Sequence, residues 1–167
     1  MILLIPPVDP SASLRSALLL RLTGDVLNSV PGYTPDEKSL PILLDWLQDL
    51  DEGWLAVLRS QGWDPAVRSG IMVLPDGACP GSLSQTERTR LKSMLVAATE
   101  LLEEWVELLQ TRLGEGDVLD IKTTHSGRLE DLFSGTLAEM GFLRGEFSVG
   151  PSGYAYERGE AEGIVHV

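Results

Sequence analysis

Thr34-Pro35-Asp36-Glu37 and Ser84-Gln85-Thr86-Glu87 each spell a helix start, and each opens a long apolar stripe. In both, the hydroxyl can accept from the backbone N–H of the Glu, and the Glu carboxylate can reach back to the N–H of the capping residue. Two capped, one-sided helices predict a mostly helical protein whose core lies between them.

The longer of the two runs from Gln85 to Leu113 and stops at Gly114. Leu91, Leu95, Ala98, Leu102, Trp105 and Leu109 recur in steps of four and three, the seam of a helix packed as in a bundle. The other is expected to run from Pro35 to Gln61, with Pro41 kinking it or marking its true start. Leu40, Leu43, Leu44, Leu47, Leu50, Trp54, Val57 and Leu58 share one face of it, and Asp45, Asp49 and Glu52 face away.

Upstream, Asp9 is a candidate cap and Pro10 a first helical residue for a helix reaching Val30. Leu14, Leu18, Leu22, Val26 and Val30 form one ridge there, while Leu20 and Leu27 point elsewhere. A helix apolar on two sides is sandwiched in its own fold or shares a side with a partner. Leu20 and Leu27 are therefore interaction candidates.

Trp63 to Gly81 reads as a long connection of turn dipeptides, with Ile71–Leu74 a short strand or core plug. Ser126 is a plausible cap for a fourth helix to Met140. Phe142 to Glu157, around Gly150-Pro151-Ser152-Gly153, reads as a β-hairpin. The expected fold is thus mainly α: a four-helix, antiparallel-leaning bundle over residues 1–141, with a small C-terminal β-hairpin and tail over 142–167.

At 167 residues the chain is one domain, or one domain with a small appendage. Its formal charge of −12 argues against nucleic acid and anionic membranes as partners and favours a basic protein. Cys79 is the only cysteine, so no internal disulfide forms. The apolar start ends at Pro6-Pro7, too short for a secretory leader, and Leu14–Leu22 carries Arg15 and Arg21. The expectation is an intracellular protein of cytoplasm or nucleus.

Glu100, Glu103, Glu104 and Glu107 crowd one helix face, and carboxylates so spaced can hold Mg²⁺ or Mn²⁺. The pattern is superficially similar to the Glu-rich helices of the all-α nucleoside triphosphate pyrophosphohydrolases, which would imply a metal-dependent hydrolase. It departs from them in facing away from the apolar stripe and in lacking a second such helix. Arg88, Arg90 and Lys92 lie toward the N-terminus of the same helix, the reverse of what its dipole favours. Two antiparallel copies, or a basic partner, would answer that arrangement.

Asp51 interrupts the apolar face of its helix and needs a donor; Arg88 is the expected mate. Trp46, Trp63, Tyr154 and Tyr156 are candidate contact residues, because aromatic anchors dominate binding hot spots. One Cys and two His offer no metal spacing, and Gly114-Glu115-Gly116-Asp117 is a poor phosphate cradle. No cofactor is expected. The leading expectation is a non-enzymatic interaction module, an accessory or adaptor subunit; the alternative is the hydrolase using the Glu row.

Overall fold

The computed structural model describes residues 2–34, 36, 38–72, 79, 81–113 and 127–141. The chain is mainly helical. A short 3₁₀ turn, Ile2–Leu4, precedes α1 (Ser11–Ser29). A second 3₁₀ turn at Val30–Gly32 follows, then α2 (Ser39–Leu58), β1 (Gly62–Asp64), β2 (Ser69–Ile71), α3 (Gln85–Leu113) and α4 (Ser134–Glu139).

The start of α3 has the reciprocal cap its sequence spells. The Glu87 N–H donates to Ser84 Oγ at 3.3 Å, and the Ser84 N–H donates to Glu87 Oε2 at 2.9 Å. The seam is buried along its length: Leu91, Leu95, Ala98, Leu102, Trp105 and Leu109 all belong to one core cluster with Leu44, Leu47, Leu50, Trp54 and Val57 of α2.

The start of α2 differs from the expectation. It begins at Ser39 with no side-chain cap; the Asp36 carbonyl accepts from the N–H groups of Ser39 and Leu40 at 3.1 Å each. Pro41 then sits in the first turn, where its missing N–H costs nothing, so it marks the start and produces no kink. The end is a Schellman turn without glycine. Ser60 takes φ 54°, the Gln61 N–H donates to the Ala56 carbonyl at 2.8 Å, and the Ser60 N–H donates to Val57 at 3.1 Å. Gly62, directly after the expected end of the helix at Gln61, opens β1.

α1 turns a different face inward than its leucine ridge suggests. Ala12, Arg15, Ser16, Leu19, Leu20, Thr23 and Leu27 are buried. Leu14, Leu18 and Leu22 are 54, 37 and 37% exposed. Leu20 and Leu27 are thus core residues, and the exposed apolar side of α1 is the ridge beside them. Asp9 makes no side-chain cap for this helix; the Val8 carbonyl takes the Ala12 N–H at 2.9 Å.

The hairpin of the described chain is β1–β2, inside the connection, with Gly62 opposite Ile71, Trp63 opposite Gly70 and Asp64 opposite Ser69. This corrects its expected C-terminal place. Its turn is closed by the Ala66 N–H donating to Asp64 Oδ1 at 2.8 Å and by Arg68 at φ 51°. The expected hairpin over 142–157 lies outside the described residues.

The fourth helix is broken. Residues 127–130 are helical, residues 131–133 form a turn, and α4 resumes at Ser134. Phe133 has φ 58°, a left-handed conformation costing about 1–2 kcal/mol. Its side chain is buried, and that burial contributes about 1.5–3 kcal/mol, which offsets the strain. A straight helix would turn Phe133 with the rest of its face; the break lets it enter the core independently.

Candidate interaction surface

Asp51 is a half-buried residue of α2, and its mate is α4 and not Arg88. The Thr136 N–H donates to Asp51 Oδ1 at 3.0 Å, and Thr136 Oγ1 donates to the Asp51 carbonyl at 3.2 Å. Thr136 is the third residue of α4, so Asp51 supplies from another helix the cap that Phe133 cannot. Gly135 permits the approach: a Cβ there would stand 2.8 Å from Asp51 Oδ2 and 3.0 Å from Leu55 Cδ1. Arg88 instead directs Nε toward the Leu83 carbonyl at 3.4 Å. Asp51→Ala is expected to cost about 1–2 kcal/mol, and Asp51→Asn only a few tenths, since Asn keeps the acceptor. Urea unfolding of the two variants checks this, and equal losses would contradict the capping role.

The acidic outer side of α2 is partly neutralised by arginines from elsewhere in the fold. Arg128 Nη2 lies 2.6 Å from Asp45 Oδ1, and Arg68 Nη1 lies 2.8 Å from Asp49 Oδ2. Arg59 donates from Nε and Nη2 to Glu139 Oε2 at 2.9 and 2.7 Å, which raises its pKa and ties the end of α2 to the end of α4. These pairs are substantially exposed, so each stabilises by no more than about 1 kcal/mol.

Glu100, Glu103, Glu104 and Glu107 are all exposed on α3. Among the described residues no group of three or more His, Cys, Asp or Glu is placed to hold a metal ion. The Glu row therefore faces solvent and does not converge into a coordination shell. Cys79 is exposed.

The aromatic candidates are dispersed. Trp46 is half-buried against the core, and Trp63 is half-buried in β1. Tyr154 and Tyr156 lie outside the described residues. Trp54 and Trp105 are core residues with satisfied indoles: Trp54 Nε1 donates to Thr23 Oγ1, and Trp105 Nε1 donates to the Tyr33 carbonyl, each at 3.0 Å. Among the described residues Leu20, Leu27 and Trp46 are spent on the core and Trp63 on β1, so these candidates do not form one exposed contact site.

The sequence marks Leu14, Leu18 and Leu22 as a ridge of α1 but does not show that this ridge stays exposed. It gives no signal for Arg15, only 1% exposed. Its Nη1 donates to the Gln61 carbonyl at 2.6 Å, while Nε and Nη2 have no partner among the described residues. Burial lowers its pKa from the usual arginine value. The cost of the buried charge is therefore full at every pH below the lowered value and fades only as pH rises toward the unfolded one, so ordinary pH does not relieve it. Desolvating a cation costs several kcal/mol, against about 1.5–3 kcal/mol from one charge-assisted hydrogen bond. Arg15→Met, which keeps the stem and removes the charge, is expected to raise the urea midpoint by about 1 kcal/mol or more in stability. A lowered midpoint would contradict that balance.

Compared with known proteins, the chain matches no family model, no curated protein and no solved structure. Among the described residues no helix is long and apolar enough to cross a membrane.

Proposed function

We propose that this protein is a non-enzymatic protein–protein interaction module, an accessory or adaptor subunit of a larger intracellular assembly. Its helices pack in the antiparallel-leaning manner of a bundle to display surfaces to partners. The observation that carries this reading is the apolar row on the outer side of α1: Leu14, Leu18 and Leu22 stay partly exposed while the core closes behind them through Leu19, Leu20 and Leu27. Asp51 and Thr23, two of the polar groups with the best-defined geometry, are engaged in joining helices.

The partner is a protein. A second copy is the other form of the same reading, with the basic half of α3 set against the acidic half of its mate. Sedimentation velocity across a wide concentration range, together with purification of the tagged full chain from its own cells, tests the proposal. The expected result is a defined complex that is lost in Leu14→Glu/Leu18→Glu/Leu22→Glu while helicity is retained. A monomer at all concentrations that recovers no stoichiometric partner would contradict it. Concentration-dependent dimerisation would identify the second copy as the partner.

A further inference from the structure

We propose that the cleft between the Val30–Gly32 turn with Tyr33 and the C-terminal half of α3 is a docking groove for a Lys or Arg side chain presented by a partner polypeptide. This rests on the interaction-module reading and names the chemistry of one of its contacts. The cleft has a volume of about 300 Å³, with Pro31, Tyr33, Leu101, Glu104, Trp105 and Leu108 in its walls.

Three observations fit that occupant. The walls are held in place before any partner arrives, because Trp105 Nε1 donates to the Tyr33 carbonyl at 3.0 Å and fixes the turn against the helix. Preformed walls lower the ordering cost of binding. The apolar groups at the mouth are uncovered, with Tyr33 70% and Leu108 58% exposed. The stem of Lys or Arg covers such groups while its charged head stays near polar ones. Among the described residues the charge is of one sign: Glu104 is in the wall, no basic residue lines the cleft, and Glu100, Glu103 and Glu107 are exposed on the same helix. On a chain of net charge −12, that combination attracts a cation beside an aromatic and repels an anion. The volume is at the lower bound of small-molecule pockets, which suits one long side chain from a polypeptide lying across the mouth.

The test uses the full chain and two labelled peptides, one alternating Leu with Lys and the other alternating Leu with Glu, read by fluorescence anisotropy. The Leu–Lys peptide is expected to bind and the Leu–Glu peptide not to. Glu104→Gln and Leu108→Ser, both at exposed positions, are each expected to weaken binding by about tenfold or more. Asp25→Asn removes the same charge from an exposed site on α1 and is expected to change it by less than about twofold. Far-UV circular dichroism confirms that all three variants keep their helices. Absence of Leu–Lys binding would overturn the groove, as would equal losses from Asp25→Asn and Glu104→Gln, which would mean diffuse attraction. A cellular complex lost in the α1 triple variant but kept in Glu104→Gln and Leu108→Ser would overturn the groove and leave the module standing.

Discussion

Trp54→Ala is expected to lower the unfolding free energy by about 3–5 kcal/mol, the largest loss available from a single core truncation in this fold. Trp54 is fully buried in α2, among the side chains that close the core, and its indole N–H is spent on Thr23 Oγ1 at 3.0 Å. Truncation removes the ring and leaves a cavity that rigid helices fill only partly. It does not strand Thr23, because that hydroxyl still donates to the Leu19 carbonyl at 2.8 Å. The loss should therefore come mostly from packing. Trp54→Phe, which fills most of the space without the hydrogen bond, should cost far less. Urea unfolding followed by far-UV circular dichroism is the appropriate measurement, since the substitution alters fluorescence directly. A domain of this size is stable by about 5–15 kcal/mol, so Trp54→Ala should consume a large part of that margin. A shift equal to that of Trp54→Phe would mean that the ring contributes through its N–H and not its bulk.

The second large effect is expected at Gly81. This residue is buried, and a Cβ built on it would overlap the Cβ of Ala12 in the first turn of α1. Its backbone has little freedom to retreat. The Gly81 N–H donates to the Pro7 carbonyl at 3.1 Å, and Ser60 Oγ donates to the Gly81 carbonyl at 2.7 Å. Retreat would break one of these bonds, each with a part of the chain remote in sequence. Gly81→Ala is expected to destabilise by about 3 kcal/mol, the upper part of the range for overpacking. The pair Gly81→Ala/Ala12→Gly should recover most of that loss, less about 1 kcal/mol for glycine in a helix. The double-mutant cycle thus reads the contact itself. Additive losses would place the damage somewhere other than the Ala12–Gly81 approach.

How much of this was legible in the sequence varies with the physics of each element. α3 was fully legible: a local cap, no interior breaker and an apolar repeat that agrees with both. The inward face of α2 was legible for the same reason, but its start was not, because the helix opens at Ser39 from a backbone turn on the Asp36 carbonyl with no side-chain cap. α1 was misread by one residue. Its inner row runs Arg15, Leu19, Thr23 and Leu27, and its outer row runs Leu14, Leu18 and Leu22. Hydrophobicity alone picks the second. The first is inner because Thr23 satisfies itself within the helix and receives the Trp54 N–H; Arg15 is carried in on the same face, and its bond to the Gln61 carbonyl offsets part of its burial. Those bonds are tertiary and invisible to periodicity.

The break at Phe133 and the trans cap by Asp51 were hidden for the same reason. A helix pattern through Leu129, Leu132 and Leu137 carries only the weak break signal of Ser134-Gly135, which does not place the turn at Phe133; packing against α2 rewards the left-handed Phe133 and lets Asp51 reach Thr136. Asp51 itself was legible as a carboxylate needing a donor; only the donor was misassigned. The β1–β2 hairpin left almost no signal, since strands of three residues containing Gly62 and Gly70 show no alternation. The solvent-facing position of the Glu row followed directly from its phase against the α3 seam.

The account depends on which leucines of α1 belong to the protein's own core and which are left for a partner. Leu18 and Leu19 are neighbours in sequence and fall on opposite sides of that division, 37% and 2% exposed. The direct measurement is the urea unfolding midpoint of Leu18→Glu beside that of Leu19→Glu. The account predicts a midpoint close to wild type for Leu18→Glu and loss of the folded state, or a fall of several kcal/mol, for Leu19→Glu. A collapse caused by Leu18→Glu with Leu19→Glu tolerated would contradict it, by placing the outer row inside the core and removing the apolar row on α1 proposed for a partner.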